Sequence, residues 1–234
     1  MKPLTLITHH YNGHERVIDL LDHFTKFSSK VTSNIKITVV DDFSDHASQL
    51  PRYPLEITQY RITTDIAWNQ PGARNLGVFL CDTPWALLFD VDQRPSEEGI
   101  AYILEHLNRL EPDTIYSFLV KNYFDANDNC PLDIHPNTLL VPVHNFKVFG
   151  MYDEDFAGNY AHEDLYLAVM WEARGGKRKV LGKTPLFVDI GHKTSTLERN
   201  IEPNKTMAHQ KIINGCQRPK SFLRFDWAKV ETHE

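Results

Sequence analysis

The sequence predicts an α/β fold in which a mostly parallel central sheet is flanked by helices. Short apolar runs alternate with segments of helical periodicity along the first half of the chain, an order that builds parallel sheets. Several apolar runs end abruptly in acidic residues, as strands do when their carboxyl ends deliver side chains into a cleft. A chain of 234 residues is long enough to bury a substantial core.

Predicted strands and helices alternate regularly in the first half of the chain. Apolar residues at Val17, Leu20, Leu21 and Phe24 recur at the spacing of one helix face. Ser96 is a suitable N-cap for a later helix, because acidic residues follow it at the positive end of the helix dipole. We predict strands over 4–8, 35–40, 55–62 and 85–91, and helices over 15–27, 72–81 and 96–110.

The second half of the chain is less regular. Gly175 is a good C-terminal stop for a helix. The basic residues around it, Arg174, Lys177, Arg178 and Lys179, are interpreted as a solvated helix end followed by a turn. The predicted elements are strands over 114–124 and 138–143, a helix over 163–174 and an extended segment over 180–190.

Composition restricts the function and the compartment. A net charge of −6 and an isoelectric point near 6.0 argue against a broad nucleic-acid surface. The three cysteines lack close spacing, which favours a reducing compartment over a disulfide scaffold. No stretch approaches the roughly 20 apolar residues of a membrane helix, and the N-terminus lacks the pattern of a signal peptide. We therefore expect a cytoplasmic protein without a transmembrane segment.

The most informative motif follows the apolar run 86–89, where Asp90 and Asp92 are separated only by Val91. Two hard oxygen donors this close suit Mg²⁺ or Mn²⁺, particularly when a diphosphate completes the coordination. An acidic turn at the end of a strand is the alternative interpretation of the same tripeptide.

Two further acidic pairs are candidate site residues. Asp41 and Asp42 end the second predicted strand and could accept hydrogen bonds from a nucleotide, or they could form a turn. Glu163 and Asp164 start a predicted helix, where they could cap it or supply a general base that takes a proton from a hydroxyl.

His192 follows an apolar run and a glycine, and its imidazole could complete a metal site begun by the aspartates. Most of the 12 histidines must have surface or packing roles. The chemistry of the sequence gives no assignment to five of them, namely His9, His10, His135, His144 and His162.

Six segments occur in a characteristic order. They are a Tyr-Asn pair at 11–12, two acids at 41–42, the sequence Gly-Ala-Arg-Asn-Leu-Gly at 72–77, Asp-Val-Asp at 90–92, Gly-Met-Tyr-Asp-Glu-Asp-Phe at 150–156, and Glu-Asp at 163–164. In these segments the chain resembles the family 2-like glycosyltransferases of the GT-A fold. The resemblance extends from residue 4 to about residue 194.

The resemblance implies one GT-A domain over residues 1–234. Residues 1–95 would bind a nucleotide sugar, residues 96–195 would face the acceptor, and residues 196–234 would form a lid and tail. The implied donor-binding residues are Thr8, Tyr11, Asn12, Asp41, Asp42, Gly72, Arg74, Asn75, Asp90, Val91 and Asp92. The implied metal ligands are Asp92, Asp90 and His192, for Mn²⁺ or Mg²⁺, and the implied catalytic residues are Asp164 and Glu163.

The activity implied is transfer of one sugar from a nucleotide-diphosphate donor, with a uridine diphosphate sugar favoured, to a hydroxyl of a glycan or another acceptor. Inversion at the anomeric carbon is implied, with Asp164 as general base. The Gln-x-x-Arg-Trp motif of processive synthases is absent, which favours transfer of a single sugar. Phe43 departs from the glycine of the family pattern and should stiffen its turn.

Other interpretations remain open at this point. A non-catalytic domain that binds nucleotide sugars or glycans would share these motifs. A sugar-nucleotide nucleotidyltransferase would carry a Gly-rich loop and a lysine after the first strand, and a hydride-transfer enzyme would carry Gly-x-Gly-x-x-Gly there; neither is present. The polar segment 193–204 could be a mobile lid or an ordinary surface loop. The aromatic tail 221–227 should pack on the domain or on a partner subunit, which leaves a homo-oligomer open; an acceptor-binding role is the lesser alternative.

Overall fold

The computed structural model describes residues 2–47, 49–122, 133–182, 187–190, 198–217, 219 and 221–231. In chain order, the strands are β1 (Leu4–His10), β2 (Ile35–Asp42), β3 (Ile57–Ile62), β4 (Trp85–Leu88), β5 (Gln93–Pro95), β6 (Thr114–Asn122), β7 (Asp133–Pro142), β8 (Lys177–Val180), β9 (Phe187–Asp189) and β10 (Trp227–Val230). The helices are α1 (His14–Thr25), α2 (Ser29–Thr32), α3 (Gln70–Phe79), α4 (Glu97–His106), α5 (Val143–Phe149), α6 (Glu163–Ala173) and α7 (Glu202–Ile213).

The strands of the described residues form one mixed sheet. Its order is β10-β3-β2-β1-β4-β7-β6-β9-β5, and β8 pairs with β6. Strands β3, β2, β1 and β4 are mutually parallel, whereas β7 and β10 run antiparallel to their neighbours in this part of the sheet. Because β2 lies on one side of β1 and β4 on the other, the strand order reverses between β1 and β4. Open α/β sheets bind ligands at the carboxyl edge of such a switch point.

Helices cover both faces of the sheet. Successive side chains of β1 point to opposite faces, so Leu4 and Leu6 belong to one core and Ile7 to another. The first core packs against apolar residues of α1 and α4, and the second packs against α3, α5 and α6. Trp171 of α6 is fully buried in the second core. These two cores fix the sheet from both sides and hold the carboxyl ends of its central strands in place.

The predicted alternation in the first half is confirmed, with shifted ends. Strand β1 continues through His10, which places two histidines at the carboxyl end of the strand. Strand β4 ends at Leu88, so the acidic motif that follows lies in a turn. Helix α4 ends at His106 and continues as a short 3₁₀ turn.

The second half differs from the prediction in several elements. The basic residues after Gly176 are solvent-exposed, as predicted, but they belong to strand β8 (Lys177–Val180) rather than to a turn, because they pair in parallel with β6. Helices α5 and α7 and strand β10 were not predicted. Of the predicted lid, residues 193–197 lie outside the described residues, and residues 202–204 belong to α7.

The aromatic tail (residues 221–227) packs on the domain, which is one of the alternatives predicted for it. Phe225 is buried against Ala73 and Leu76 of α3, and Trp227 contacts Tyr60 edge to face at 5.8 Å between ring centroids. Across the described residues, the helices all fall short of the length and apolar character that spanning a bilayer requires.

Candidate active site

A cleft of about 470 Å³ opens at the carboxyl ends of β1 and β4, at the switch point of the sheet. Three groups of residues meet there: the end of β1, the acidic turn after β4 and the first turn of α6. Of the predicted site residues, the ones that line the cleft are Tyr11, Asp42, Asp90, Val91, Asp92, Glu163 and Asp164.

The acidic turn after β4 is held by main-chain hydrogen bonds. The amide of Gln93 donates to the carbonyl of Asp90 over 3.0 Å, which closes the turn. The amide of Ile190 donates to the carbonyl of Asp92, also over 3.0 Å, and thereby extends the pairing of β5 with β9. Asp90, Val91 and Asp92 all line the cleft, so both carboxylates stand where a ligand at the switch point would lie.

The buried Arg74 forms an ion pair with Asp90, the first carboxylate of this turn. Its guanidinium is 1% exposed, and it donates to Asp90 Oδ1 over 2.5 Å and to the Tyr152 hydroxyl over 2.9 Å. Burial alone would raise the pKa of Asp90, but the charge and hydrogen bond of Arg74, together with smaller contributions from His9 and His135, outweigh burial, and the pKa of this carboxyl is lowered. Asp90 is therefore an anion at neutral pH, with one oxygen engaged by Arg74.

The donor set of the turn fits a divalent cation that shares its coordination with a ligand. Among the described residues, no group of three or more histidine, cysteine, aspartate or glutamate side chains could by itself hold a metal ion. Mg²⁺ is commonly bound by one or two carboxylates together with substrate phosphates, rather than by a cage made entirely of protein. Asp90 and Asp92 match that arrangement. His192, the predicted third ligand, lies outside the described residues.

The two acids at the end of β2 have different environments. Asp42 lines the cleft, is 7% exposed and accepts a hydrogen bond from Asn69 Nδ2 over 3.2 Å. Burial raises its pKa to about 7, with a smaller contribution from the charge of Asp41. Asp41 is 1% exposed, pairs with Arg61 and accepts from the Ser44 amide over 2.9 Å. Asp42 can therefore meet a ligand, whereas Asp41 shapes the turn behind it.

Two turns beside the cleft have left-handed backbone at non-glycine residues. Asn12 has φ +50° and Phe43 has φ +58°, and Phe43 occupies the position where the family pattern has glycine. The side-chain nitrogen Nδ2 of Asn12 donates to Asp45 Oδ2 over 3.0 Å, and the main-chain N–H of Asp45 donates back to Asn12 Oδ1 over 2.8 Å. The Arg61 guanidinium lies over the Phe43 ring at 5.9 Å. These contacts tie the ends of β1 and β2 together despite the cost of the left-handed conformation.

His9 and His10 bring neutral imidazoles to the cleft. Burial and, to a smaller extent, the nearby Arg74 charge lower the pKa of His9 to about 3. Burial likewise lowers the pKa of His10 to about 4. Both rings are uncharged at neutral pH and can donate or accept hydrogen bonds without adding positive charge.

The acidic pair at the start of α6 combines a buried and an accessible carboxylate. Glu163 is 7% exposed and accepts from Gln70 Nε2 over 3.0 Å; burial raises its pKa to about 7, and the neighbouring Asp164 charge adds to the shift. Asp164 is half-buried, lines the cleft and accepts from the amide of Leu165 over 2.7 Å. The N-cap of α6 is His162. Glu163 and Asp164 therefore do not occupy the N-cap position, which was the alternative to a catalytic role.

The turn that leads into α6 is strained and firmly anchored. Ala161 and His162 have φ values of +69° and +72°. Asn204 of α7 is fully buried, and its side-chain nitrogen lies 3.0, 3.0 and 2.8 Å from the carbonyl oxygens of Phe156, Asn159 and Ala161. The side-chain amide of Asn204 thus contacts three carbonyl groups of the segment that leads into Glu163 and Asp164.

The structure can be compared with known proteins at this point. No protein-family model matches the sequence, and no curated protein sequence matches it either. Among solved structures, residues 1–349 of S. aureus TarS in complex with UDP-GlcNAc match with a TM-score of 0.69 and 15% identity, over 94% of this chain and 68% of that one. The same TarS segment with UDP matches with a TM-score of 0.65 and 15% identity, over 94% and 67%.

A longer structure of S. aureus TarS matches with a TM-score of 0.58 and 16% identity, over 91% of this chain and 43% of that one. At this level of identity the comparison establishes the fold alone. The chain has a GT-A-like fold. The predicted α/β architecture is thereby confirmed, and membership of family 2 stays a prediction.

Besides Asp41, three residues predicted to bind the donor lie behind the cleft wall instead of on it. Thr8 is 1% exposed within β1, and Asn75 is fully buried with its side chain bonded to Glu154 Oε1 over 2.8 Å. A Cβ atom on Gly72 would lie 2.2 Å from Asn69 Oδ1, so this glycine permits close packing. Each of these residues is packed against its own neighbours and supports the cleft wall from behind, and a contact with a donor stays a prediction.

Asn12 and Arg74 also differ from the prediction. Asn12 lines a neighbouring groove together with Ser44 and Asp45, rather than the main cleft. Arg74 does not line the cleft; its buried guanidinium contacts two cleft residues, Asp90 and Asn137, and donates to Tyr152 behind them.

Several cleft residues were not predicted. They are His9, His10, Arg16, Trp68, Gln70, His135, Asn137, Asn159, Tyr160 and Arg199. A usable signal existed for His9 and His10, because the carboxyl end of the first strand must share an edge with the acids that follow β2 and β4. For the others the sequence gives no comparable signal, since only the tertiary fold brings them to the cleft.

Proposed function

We propose that the protein is a glycosyltransferase that moves one sugar from a nucleoside-diphosphate donor, a UDP-sugar, to a hydroxyl of a glycan or another acceptor. The observation that carries this proposal is the meeting of the Asp90–Asp92 turn and the Glu163–Asp164 pair in one cleft at the switch point. The fold is also shared with a protein whose crystal structures contain UDP and UDP-GlcNAc.

The nucleoside of the donor would lie against the end of β1 and β2. Tyr11 offers a ring that is 38% exposed at the cleft, and Asp42 offers a buried carboxyl beside it. A carboxyl with a pKa of about 7 can accept from an N–H group of a base or share a proton with a base oxygen. The neutral imidazoles of His9 and His10 would form hydrogen bonds with the nucleoside, which is the uncharged part of the donor.

The diphosphate of the donor would lie at the acidic turn, with Mn²⁺ or Mg²⁺ between them. Asp92 and Asp90 would hold the ion, and we propose His192 as a third ligand because Ile190, two positions earlier in the sequence, is bonded to the main chain of Asp92. When bound, such an ion supplies Lewis-acid stabilisation of the leaving diphosphate. Arg74 keeps Asp90 ionised for this role.

Asp164 is the proposed general base. Its carboxylate lines the cleft and takes the proton of the acceptor hydroxyl as the hydroxyl oxygen bonds to the anomeric carbon. The bond from that carbon to the diphosphate oxygen breaks at the same time, so UDP leaves and the anomeric configuration inverts. Glu163 is less suited to this role, since it is buried and bonded to Gln70.

A non-catalytic domain that binds nucleotide sugars is the second candidate. It would keep the nucleotide contacts of Asp42 and Tyr11 but would have no use for an accessible carboxylate at Asp164. The placement of Asp164 on the cleft surface therefore favours the enzyme. A nucleotidyltransferase is less well supported, because the turn after β1 lacks the Gly-rich loop and lysine that such an enzyme would use.

A thermal-shift screen of UDP, GDP, ADP and CDP with Mn²⁺, Mg²⁺ or a chelator tests the donor and the metal. We expect UDP to raise Tm with metal and much less with chelator, and Asp92→Asn to remove the metal-dependent part. Glu105→Gln changes an exposed carboxylate outside the cleft and should behave as wild type. Release of UDP from UDP-sugars then measures turnover. Absence of stabilisation by every nucleoside diphosphate with either metal would overturn the proposal.

A further inference from the structure

Trp68 and Tyr160 form an aromatic wall in the cleft. Their ring centroids are 4.6 Å apart at an interplanar angle of 54°, and both residues are half-buried and line the cleft. The indole nitrogen of Trp68 donates to the carbonyl of Glu198 over 2.9 Å, and the Arg199 guanidinium lies over the Tyr160 ring at 5.3 Å. Both rings are therefore held in place by their surroundings while part of each faces the cleft.

The backbone at this wall is strained. Trp68 has φ +50°, a left-handed conformation that a bulky side chain rarely adopts. It is enforced by main-chain contact, because the amide of Gly158 donates to the carbonyl of Ala67 over 2.7 Å. Ala161 and His162, also left-handed, follow Tyr160 directly. Strain that the surrounding structure maintains is typical of ligand-binding and catalytic positions.

The wall is connected to the acidic pair Glu163 and Asp164 through the main chain and a hydrogen bond. Tyr160 precedes Asp164 by four residues on the same anchored segment. Gln70, two residues after Trp68, donates to Glu163 over 3.0 Å. Asn69, which lies between Trp68 and Gln70 in the sequence, donates to Asp42 over 3.2 Å. The rings therefore adjoin the segment that carries Asp164, which an acceptor must approach, and line the same cleft.

A sugar ring is the ligand that fits this position. Pyranose rings present flat C–H faces that pack on aromatic rings, and hydroxyl groups at their edges that need hydrogen-bond partners. The side chains of Asn137, Asn159 and His135 line the same cleft and can supply such partners. Aromatic surface with a few polar groups around it is the usual composition of a small-molecule site.

We propose that a sugar ring of the acceptor stacks on Trp68 and Tyr160 beside Asp164, so that the acceptor is a saccharide. This inference rests on the proposed glycosyl transfer and adds the acceptor class and its subsite. A nucleobase is the other ligand that could stack on these rings, and the experiment is arranged to distinguish the two.

The test measures nucleotide and saccharide binding separately. Calorimetry with UDP and Mn²⁺ gives the Kd of the nucleotide for wild type, Trp68→Ala and Trp68→Phe. Saturation-transfer NMR in the presence of UDP and Mn²⁺ then screens a panel of neutral and acidic di- and trisaccharides built from glucose, galactose, N-acetylglucosamine and glucuronic acid. Trp227→Ala is the matched control, because Trp227 is a half-exposed tryptophan on β10 outside the cleft. Unfolding curves confirm that each variant is folded.

We expect at least one saccharide to bind wild type, and Trp68→Ala to weaken it about tenfold, the scale of one aromatic contact. The Kd of UDP should stay within about twofold, a difference well under 1 kcal/mol. Trp68→Phe, which keeps a ring, should fall in between, so the proposal remains testable if the alanine variant does not fold.

Three results would overturn the inference: no saccharide binding by wild type, undiminished saccharide binding by both Trp68 variants, or a loss of UDP affinity equal to the loss of saccharide affinity. The last result would assign the rings to the nucleobase. Failure of the proposed function has a different signature, since wild type would then bind no UDP at all.

Discussion

The side-chain nitrogen of Asn204 donates to the carbonyl of Ala161 over 2.8 Å, and so connects helix α7 to the turn that starts α6. The same nitrogen lies 3.0 Å from the carbonyls of Phe156 and Asn159. Because Ala161 is left-handed, the turn would relax to another conformation without such support. The position of Asp164 thus depends on a residue that does not touch the cleft.

Replacement of this amide should affect both stability and turnover. We expect Asn204→Ala to lower the free energy of unfolding by about 2–3 kcal/mol, because buried carbonyl groups lose their partner. Urea unfolding measures this change. Donor hydrolysis should fall as well, while the Kd of UDP changes little, because the acidic turn after β4 is held by other contacts.

The matched control is Asn214→Ala, at the exposed end of the same helix, where we expect wild-type stability and turnover. Equal stability of Asn204→Ala and wild type would show that the three short contacts do not hold the turn.

The ion pair between the buried Arg74 and the partly buried Asp90 gives a second prediction. Arg74→Met leaves the Asp90 carboxylate without its cation, and we expect a loss of about 3 kcal/mol in the free energy of unfolding. The pKa of Asp90 should rise, since the charge that lowered it is gone. Adding Asp90→Asn to Arg74→Met removes the unpaired charge and should recover part of the loss. Urea unfolding of the single and double variants measures the coupling, and a double variant less stable than Arg74→Met would contradict it.

Glu163 makes stability depend on pH. Its pKa is raised from 4.5 to about 7 in the folded protein, so the folded state holds a proton that the unfolded state has released between these values. Its contribution is therefore fully present below about pH 4.5 and is lost as the pH rises through about 7. Glu163→Gln should gain stability relative to wild type over this range, by up to roughly 3 kcal/mol.

Urea unfolding of both proteins at several pH values checks this prediction. The difference between Glu163→Gln and wild type should grow from pH 4.5 to pH 7 and then level off. A difference that is constant with pH would mean that Glu163 titrates normally in the folded protein.

The central strands and their acids could be predicted from the sequence because buried parallel strands are nearly continuous apolar runs. The acids directly after them then share one edge of the sheet. Asp42, Asp90 and Asp92 were found in this way. The same argument applied to β1 would have added His9 and His10.

Helix α7 could not be predicted in the same way. Only Asn204 and Ala208 are buried along its 12 residues, so it shows no apolar stripe. Strand β8 is exposed along its length and is a strand only because it pairs with β6. Trp68 and Tyr160 are far apart in the sequence and meet only in the folded chain. Cytoplasmic location, assembly into homo-oligomers and the role of His192 stay predictions.

Asp164→Asn tests the central claim most directly. The variant removes the proposed base and keeps the shape of the side chain, so donor binding should be unchanged while turnover is lost. We predict that UDP binds Asp164→Asn in the presence of Mn²⁺ with the wild-type Kd. The rate at which the variant releases UDP from a UDP-sugar should fall by about 10²–10⁴-fold. Near-normal turnover by the folded variant, at saturating UDP-sugar and Mn²⁺, would contradict the account.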